Sequence, residues 1–229
     1  MKLAIMQPYF MPYIGYFQTM AAVDTYVVYD DVHYIKGGWV SHNYLLIGGR
    51  KQMFTIKLKG ASPNKLFNEV EIGDNFKKLT HMLQLNYCKA PFYDEVMPVL
   101  QELFNYGDRN LARFLWNSYR KLFEYLEIDT NIILSSSIEK DNSLRGKDKV
   151  LAICKALGTD TYLNAIGGQE LYDKAEFAEN GVELYFVKTD DFRYQQFGGD
   201  FEPGLSIIDV LMFNGRAGTK RLLAEYTLI

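Results

Sequence analysis

The chain has 229 residues, of which 48% are hydrophobic and 23% charged, and its formal net charge is −3. This composition is typical of a globular protein and excludes wholesale disorder. The longest uninterrupted hydrophobic run is 150–154, which excludes a membrane-spanning helix, since such a helix needs about 18 apolar residues or more.

The N-terminus and the cysteines predict a cytoplasmic protein. Gln7 and Pro8 interrupt the first apolar stretch, so it does not have the pattern of a signal peptide. Cys88 and Cys154 form no CxxC pair, and we expect them to pack as small hydrophobic residues in a reducing compartment. Because the net charge is negative and no basic tract stands out, we expect no binding to nucleic acid.

The start of the chain predicts a βαβ unit. Lys2–Met6 has the pattern of a buried strand, and 25–29 is a second β-rich run. Between them, Ile14, Phe17 and Met20 are spaced to lie on one face of a helix. A unit of this kind requires two parallel strands and a right-handed crossover.

The middle of the chain predicts a hairpin followed by helices. Two strand-like runs, 44–47 and 53–58, flank the turn residues 48–51. Asp108 is a candidate cap for the last of these helices. The predicted helices are 76–88, 92–104 and Leu111–Leu126.

Strands and helices alternate again after this region. Ser206 is predicted to cap the last helix with Asp209 as a capping-box acid, and 214–215 resembles its C-terminal end. The predicted strands are Asn131–Leu134, 161–163 and 182–187, and the predicted helices are 147–157, 169–177 and 205–213.

These elements predict one α/β domain over 1–229. Its core is a Rossmann-like, mainly parallel sheet, and a β-hairpin with a helical insertion occupies 44–128. Ligands of such open sheets bind beyond the carboxyl ends of the strands. We therefore expect the segments that follow the predicted strands to meet at one edge of the sheet and form a shared site.

The segment 6–17 follows the first strand and combines prolines with several aromatic residues. Gln7, Tyr9 and Tyr13 are candidate substrate-binding residues there. The order of strand, polar loop and helix resembles that of HIGH-type nucleotidyltransferases, but tyrosines stand where their histidines would be. The alternative is a hydrophobic cluster that packs the helix onto the sheet.

The segment YDDVHYIKGGW follows the second strand and contains Asp30, Asp31, His33, Lys36 and Trp39. Adjacent carboxylates near a histidine can bind a hard metal or act as a general base. Consecutive side chains at a strand end point to opposite faces, so the two aspartates are not expected to serve one site equally. One of them could pair with Lys36, and a solvated loop is the remaining alternative.

The segment 162–169 leads a strand through two glycines into a predicted helix. Gly167 and Gly168 would let the backbone approach a phosphate closely, with Asn164 beside them. The segment has neither a Walker lysine nor GxGxxG spacing, and an ordinary left-handed turn is the alternative. Arg145 and Lys147, near another predicted helix start, could also reach a phosphate.

Four stretches together resemble the WbqC-like family: IMQPYFMPYIGYFQ, YVVYDDVHYIKGGWVSHN, LAICKALGTDTYLNAIGGQELYD and FEPGLSIIDVLMFNG. Asn43 matches the family pattern, whereas His33, Gly37 and 41–42 depart from it. The resemblance implies a role in surface polysaccharide biosynthesis, such as that of O-antigen. It also implies a transferase acting on nucleotide-linked amino sugars.

The resulting prediction is a transferase that modifies a nucleotide sugar by acyl or aminoacyl transfer. ATP-dependent carboxylate activation and a non-catalytic role in a polysaccharide assembly complex are the alternatives. No metal site is predicted, the cofactor is left open, and a homo-oligomer is one possible state. The predicted catalytic residues are Asp30, Asp31 and His33. The predicted substrate-binding residues are Gln7, Tyr9, Tyr13, Lys36, Trp39, Asn43, Asn164, Gly167, Gly168 and Gln195.

Overall fold

A computed structural model describes residues 1–74 and 76–229. The strands are β1 (Lys2–Met6), β2 (Thr25–Val28), β3 (His42–Ile47), β4 (Arg50–Thr55), β5 (Leu58–Lys59), β6 (Glu71–Ile72), β7 (Asn131–Leu134), β8 (Thr161–Ala165), β9 (Glu183–Thr189) and β10 (Tyr226–Leu228). The helices are α1 (Ile14–Ala21), α2 (Lys77–Tyr87), α3 (Tyr93–Phe104), α4 (Leu111–Leu126), α5 (Gly146–Ala156), α6 (Lys174–Glu179) and α7 (Ile207–Leu223).

The central sheet has six strands in the order β10-β9-β8-β1-β2-β7. All neighbours are parallel except β10, which runs antiparallel to β9. The predicted Rossmann-like, mainly parallel sheet is therefore confirmed. The chain passes from β1 through β2 to β7 and then returns to β8 on the other side of β1. The strand order consequently reverses between β1 and β8, where sheets of this kind bind their ligands.

Alternating side chains of β1 enter two separate cores. Ala4 and Met6 belong to the larger core, which includes apolar residues of α1, α4 and α7. Leu3 and Ile5 belong to the smaller one, which includes residues of α5 and α6. Because side chains of a strand alternate between faces, this pattern places helices on both sides of the sheet. Cys154 is buried in the smaller core, whereas Cys88 is exposed.

The predicted hairpin and helices of the insertion are present. Strands β3 and β4 pair antiparallel around Gly48 and Gly49, whose φ angles of 57° and 74° suit the tight turn of a two-residue hairpin. The second predicted strand is divided, since β4 ends at Thr55 and β5 begins at Leu58. Phe10, from the loop after β1, stacks on Phe76 of the insertion with 5.6 Å between ring centroids.

Two helix predictions require correction. The helix predicted over 169–177 is reduced to α6, because the side chain of Asp173 caps the first turn only there. Asp108 is not the cap of α4: the Asn110 side chain accepts a hydrogen bond from the backbone N–H of Arg113 and takes that position.

The last helix is longer than predicted. Ser206 caps it, as expected, but α7 continues to Leu223, and Gly215 interrupts its helical geometry with a φ of 58°. The pair 214–215 therefore marks a kink instead of an end. Strand β10 beyond the helix was not predicted.

The two outer strands of the sheet are covered differently. On one side, β10 pairs with β9 and forms the edge. On the other, the indole N–H of Trp116 in α4 donates to the carbonyl oxygen of Ile132 in β7 at 2.7 Å.

In the part of the chain that the structure describes, no helix is long and apolar enough to cross a membrane.

Candidate functional site

The carboxyl ends of five parallel strands bring the predicted segments to one edge of the sheet. Gln7 follows β1, 29–31 follow β2, and 135–137 follow β7. On the other side of the reversal, 166–168 follow β8 and 190–191 follow β9. The expected convergence of these segments is thus a consequence of the observed strand order. The reversal of strand order between β1 and β8 lies near the centre of this edge.

Hydroxyl groups of buried tyrosines hold the loop 7–13 in place. The Tyr119 hydroxyl, from α4, donates to the carbonyl oxygen of Tyr9 at 2.6 Å and accepts from its backbone N–H at 2.7 Å. The Tyr16 hydroxyl donates to the carbonyl oxygen of Gln7 at 2.6 Å. Because these tyrosines are fully packed, the loop is fixed before any ligand arrives.

Asn43 contributes to the same loop from β3. Its side-chain amide donates to the carbonyl oxygen of Met11 at 2.6 Å, and the Ser206 hydroxyl donates to the same oxygen at 2.7 Å. Met11 has a φ of 47°, a conformation that a residue other than glycine rarely adopts. The predicted substrate-binding residue Asn43 is buried and supports this strained turn.

A pocket of about 230 Å³ lies at the end of β1, and we call it the aromatic pocket. The Tyr9 and Trp39 rings lie 6.4 Å apart, and the indole of Trp39 is 52% exposed. Burial, with smaller contributions from Tyr13 and Tyr44, raises the pKa of the Tyr9 hydroxyl, so it stays a neutral donor. The walls of the aromatic pocket include Gln7, Tyr9, Tyr16, Ile35, Trp39 and Phe67.

A second pocket, of about 270 Å³, lies beyond the end of β9, and we call it the acidic pocket. Tyr13, at the start of α1, belongs to this pocket and not to the aromatic one. The walls of the acidic pocket include Tyr13, Asp190, Asp191, Phe192, Tyr194 and Phe201.

Asp30 is buried and its carboxylate accepts several hydrogen bonds. The backbone N–H and the hydroxyl of Ser136 donate to it at 2.8 and 2.6 Å. The Asn68 side chain donates to it at 3.3 Å. Asp30 therefore ties the loop after β7 and the insertion to the end of β2.

Asp31 pairs with two lysines that are as deeply buried as the carboxylate itself. Its carboxylate lies 2.8 Å from the ammonium of Lys140 and 3.2 Å from that of Lys149. Lys149 also donates to the backbone carbonyl oxygen of Asp31 at 2.7 Å. Burial alone would raise the pKa of the Asp31 carboxyl, but the ammonium groups of Lys140 and Lys149 beside it hold that pKa below its usual value.

Within the described residues, neither Asp30 nor Asp31 pairs with Lys36. The alternative in which one of them pairs with this lysine is therefore wrong. The side chains of Lys36, His33 and Gln195 are all exposed. The backbone of His33 bridges to that of Leu66. His33 and Lys36 belong to the same segment as Ile35 and Trp39 of the aromatic pocket.

The double glycine after β8 does not form a left-handed turn. Residues Ile166–Gly168 form one turn of 3-10 helix, and neither glycine has a positive φ. A Cβ at Gly168 would lie 2.5 Å from the side-chain nitrogen of Asn164. Gly168 is thus needed for the close packing of Asn164, while Gly167 is exposed and surrounded by open space.

Basic and phenolic groups lie near the end of β2 on the α5 side. The Tyr29 hydroxyl is buried and, among the residues described, has no hydrogen-bond partner. Burial and the charge of Asp31 raise its pKa, while Arg145 acts in the opposite direction. The exposed Arg145 guanidinium donates to the carbonyl oxygens of Asn142 and Leu144, and Lys147 is paired with Glu176.

Asp209 does not act as the capping-box acid that the sequence predicts. The carboxylate is fully buried and accepts from the Tyr87 and Tyr194 hydroxyls, both at 2.7 Å, and from Gln196 at 3.0 Å. The glutamine engaged in this network is thus the neighbour of the predicted Gln195. Burial raises the pKa of the Asp209 carboxyl, and these hydrogen bonds oppose the effect.

No group of three or more histidine, cysteine, aspartate or glutamate residues in the described ranges could hold a metal ion.

A model of the WbqC-like protein family matches residues 7–221. The uncharacterized protein Rv1507c of Mycobacterium tuberculosis is 28% identical over 219 residues, which cover 93% of each chain. No solved structure matches the chain.

Proposed function

The chain belongs to the WbqC-like protein family, and from this premise we propose that it is a transferase acting on a nucleotide-linked amino sugar. The reaction is acyl or aminoacyl transfer, and its context is surface polysaccharide biosynthesis. The observation that carries the proposal is the reversal of strand order between β1 and β8. The loop fixed by Tyr119 and the aromatic pocket lie at this edge.

The aromatic pocket suits the flat part of such a substrate. Exposed aromatic rings stack on bases and on the apolar faces of sugars, and Trp39 and Tyr9 provide these surfaces. Gln7 is exposed at the pocket and has the amide donors and acceptor needed to orient polar groups. The phosphates would face Gly167, in the turn after β8, and the exposed guanidinium of Arg145, which immediately precedes α5.

The buried contacts narrow the choice of acid or base. Asp30 accepts three hydrogen bonds, and Asp31 is paired with two cations, so neither carboxylate is poised to take a proton. Within the described residues, no hydrogen bond or ion pair involves the imidazole of His33. His33 is therefore the residue to which we assign proton exchange, and the two aspartates are assigned to positioning.

Binding of nucleotide sugars tests this proposal. Isothermal titration with a panel of nucleotide-linked amino sugars is expected to show saturable binding. Replacing Trp39 with alanine should weaken it by about 1–3 kcal/mol, the usual contribution of base stacking. Leu85→Ala is the matched control, because Leu85 is 66% exposed and lies on α2, outside the pocket. Failure to bind any member of a broad panel would remove the proposal.

The same strand order also favours a second candidate, ATP-dependent activation of a carboxylate. The loop after β1 leads into α1 as it does in nucleotidyltransferases, although tyrosines replace the expected histidines. This candidate predicts pyrophosphate release that requires ATP, Mg²⁺ and a carboxylic acid. Nucleotide-sugar binding without pyrophosphate release across varied acids would exclude it.

A further inference from the structure

The acidic pocket is walled by aromatic rings set at different angles. Phe192 and Tyr194 lie nearly parallel, with 6.3 Å between ring centroids and 16° between planes. Phe201 meets Tyr194 edge to face at 5.0 Å. Tyr13 adds a ring that is 39% exposed. Faces of aromatic rings attract cations and also accept hydrocarbon.

The charges at this pocket are negative. Asp190 and Asp191 both line it. Asp190 accepts a hydrogen bond from Thr227 at 2.8 Å, whereas in the described parts of the chain no ion pair or hydrogen bond engages the carboxylate of the exposed Asp191. Lys51, near the rim, donates instead to the carbonyl oxygen of Pro203 at 2.9 Å. The pocket therefore retains a carboxylate without a cation.

A third carboxylate lies behind the wall. Asp209 precedes Val210, which lines the pocket, and it holds the hydroxyl of Tyr194 at 2.7 Å. Its hydrogen bonds come from neutral donors, and no lysine or arginine reaches it among the described residues. The network thus fixes the Tyr194 ring in this wall of the pocket.

We propose that the acidic pocket binds a primary ammonium group carried on a small apolar body. Carboxylates would repel an anionic ligand, and a neutral sugar would gain nothing from the charge of Asp191. A divalent cation needs several oxygen ligands, and no group of three acidic, histidine or cysteine side chains among the described residues could hold one. An ammonium beside Asp191 and over an aromatic face, with its hydrocarbon against Phe192 and Phe201, satisfies each of these groups.

The assignment of this ammonium to a substrate rests on the proposed function. An amine that attacks an acyl carbon must first lose its charge, whereas this pocket stabilises the charged form. The ammonium is therefore the α-ammonium of an activated aminoacyl ester or thioester. In the transfer, the uncharged sugar amine forms the C–N bond and gives up its proton to a base. The bond from the acyl carbon to oxygen or sulfur breaks, and that atom leaves with the electron pair.

The two pockets adjoin the same loop. Tyr9 lines the aromatic pocket and Tyr13 the acidic one, and both belong to the fixed loop 7–13. A nucleotide sugar in one pocket and an aminoacyl group in the other would flank this loop.

Titration with leucine methyl ester tests the inference, because this probe has an ammonium and an apolar body but no carboxylate. N-acetyl-leucine methyl ester is the uncharged control. We expect the amine to bind to the full chain and the acetylated probe not to bind. Asp191→Asn should weaken binding of the amine about tenfold. Asp200→Asn, an exposed acid of the same loop that does not line the pocket, should leave binding unchanged.

Phe192→Leu is the second variant, since it keeps the hydrocarbon and removes the ring, and it should weaken binding of the amine several-fold. Equal binding of the two probes, or no change in Asp191→Asn, would overturn the inference. Nucleotide-sugar titrations on the same samples separate the two proposals. If nucleotide sugars bind while the amine does not, the inference fails and the proposed function stands. If the amine binds while no nucleotide sugar does, the acidic pocket binds an ammonium group and the proposed function fails.

Discussion

The carboxylate of Asp31 is the only anion that the structure shows paired with the buried ammonium groups of Lys140 and Lys149, within the residues described. Two buried positive charges that share one carboxylate form an arrangement whose energy depends on keeping that carboxylate ionised. Removing one member of a buried ion pair leaves its partner uncompensated, at a cost of about 3–5 kcal/mol.

We therefore predict that Asp31→Asn lowers the free energy of unfolding by about 3–5 kcal/mol. Because folding lowers the pKa of this carboxyl, its contribution to stability is present above the unfolded pKa and is lost as pH falls through the folded pKa. Urea denaturation from neutral to acidic pH measures both effects. Asp129→Asn, an exposed aspartate, is the control and should match the parent chain throughout.

This prediction would be contradicted if Asp31→Asn changed the free energy of unfolding by less than about 1 kcal/mol. It would also be contradicted if the loss of stability at acidic pH were the same in Asp31→Asn as in the parent chain.

The sequence predicted that Asp30 and Asp31 differ, because consecutive side chains leave a strand in opposite directions. It could not predict which groups they would meet. Lys149 lies 118 residues from Asp31 in the chain, and only the return of the chain to α5 brings them together. For the same reason the sequence singled out the exposed Lys36, which is nearby in sequence, and missed the buried lysines.

At the scale of single elements, the kink in α7 depends on a residue without a side chain. Gly215 has a φ of 58°, and a Cβ there would lie 2.4 Å from the ring of Phe92. Two separate costs would follow from any side chain: about 1–3 kcal/mol for a backbone with φ 58° and ψ −165°, which essentially only glycine adopts, and about 1–3 kcal/mol for the steric overlap.

Gly215→Ala is accordingly expected to lower the free energy of unfolding by about 2–6 kcal/mol. Gly158→Ala separates the two costs, since Gly158 has a φ of 65° but open space around its missing Cβ. It should lose only about 1–2 kcal/mol. Urea denaturation of both variants measures the difference, and equal losses would show that the contact with Phe92 is unimportant.

Elements with a long apolar stripe were predictable, and those fixed by distant contacts were not. The bounds of α4 agree with the prediction, because its apolar residues recur at helical spacing over several turns. Strand β10 has only three residues, and its pairing with β9 decides its conformation. The prediction of helix over 169–177 failed where the Asp173 cap sets the start later.

On the scale of the whole molecule, a helix of the insertion controls the loop of the central sheet. The Tyr119 hydroxyl bonds both backbone polar groups of Tyr9, although the two residues are 110 positions apart. Tyr119 is 1% exposed and does not line the aromatic pocket. The insertion therefore sets the geometry of a site to which this side chain contributes no surface.

Tyr119→Phe should lower the free energy of unfolding by about 1–3 kcal/mol, because it leaves buried backbone groups of Tyr9 unpaired. It should also weaken nucleotide-sugar binding, since the loop 7–13 loses its anchor. Denaturation and titration on one preparation measure both. Tyr106→Phe is the control, as its half-buried hydroxyl has no hydrogen bond in the described residues. Normal ligand binding by Tyr119→Phe would show that the anchor does not position the loop.

The meeting of the opening loop, the aspartates and the double glycine at one edge was predictable, because parallel strands end on the same side. The division of that edge into two pockets was not. It depends on where Tyr9 and Tyr13 fall around the strained turn at Met11, which Asn43 and Ser206 support from distant parts of the chain.

The hydrogen bond from Trp116 to the carbonyl oxygen of Ile132 bears on how copies of the protein behave in a crowded solution. An outer strand with free backbone groups is a template on which another polypeptide can add, and chain-to-chain stacking of that kind leads to aggregation. Here the indole N–H of Trp116 donates to one backbone carbonyl oxygen of β7, so that oxygen is no longer free to pair with another chain. A side chain that holds α4 against the sheet thus also makes that margin a poorer surface for self-association.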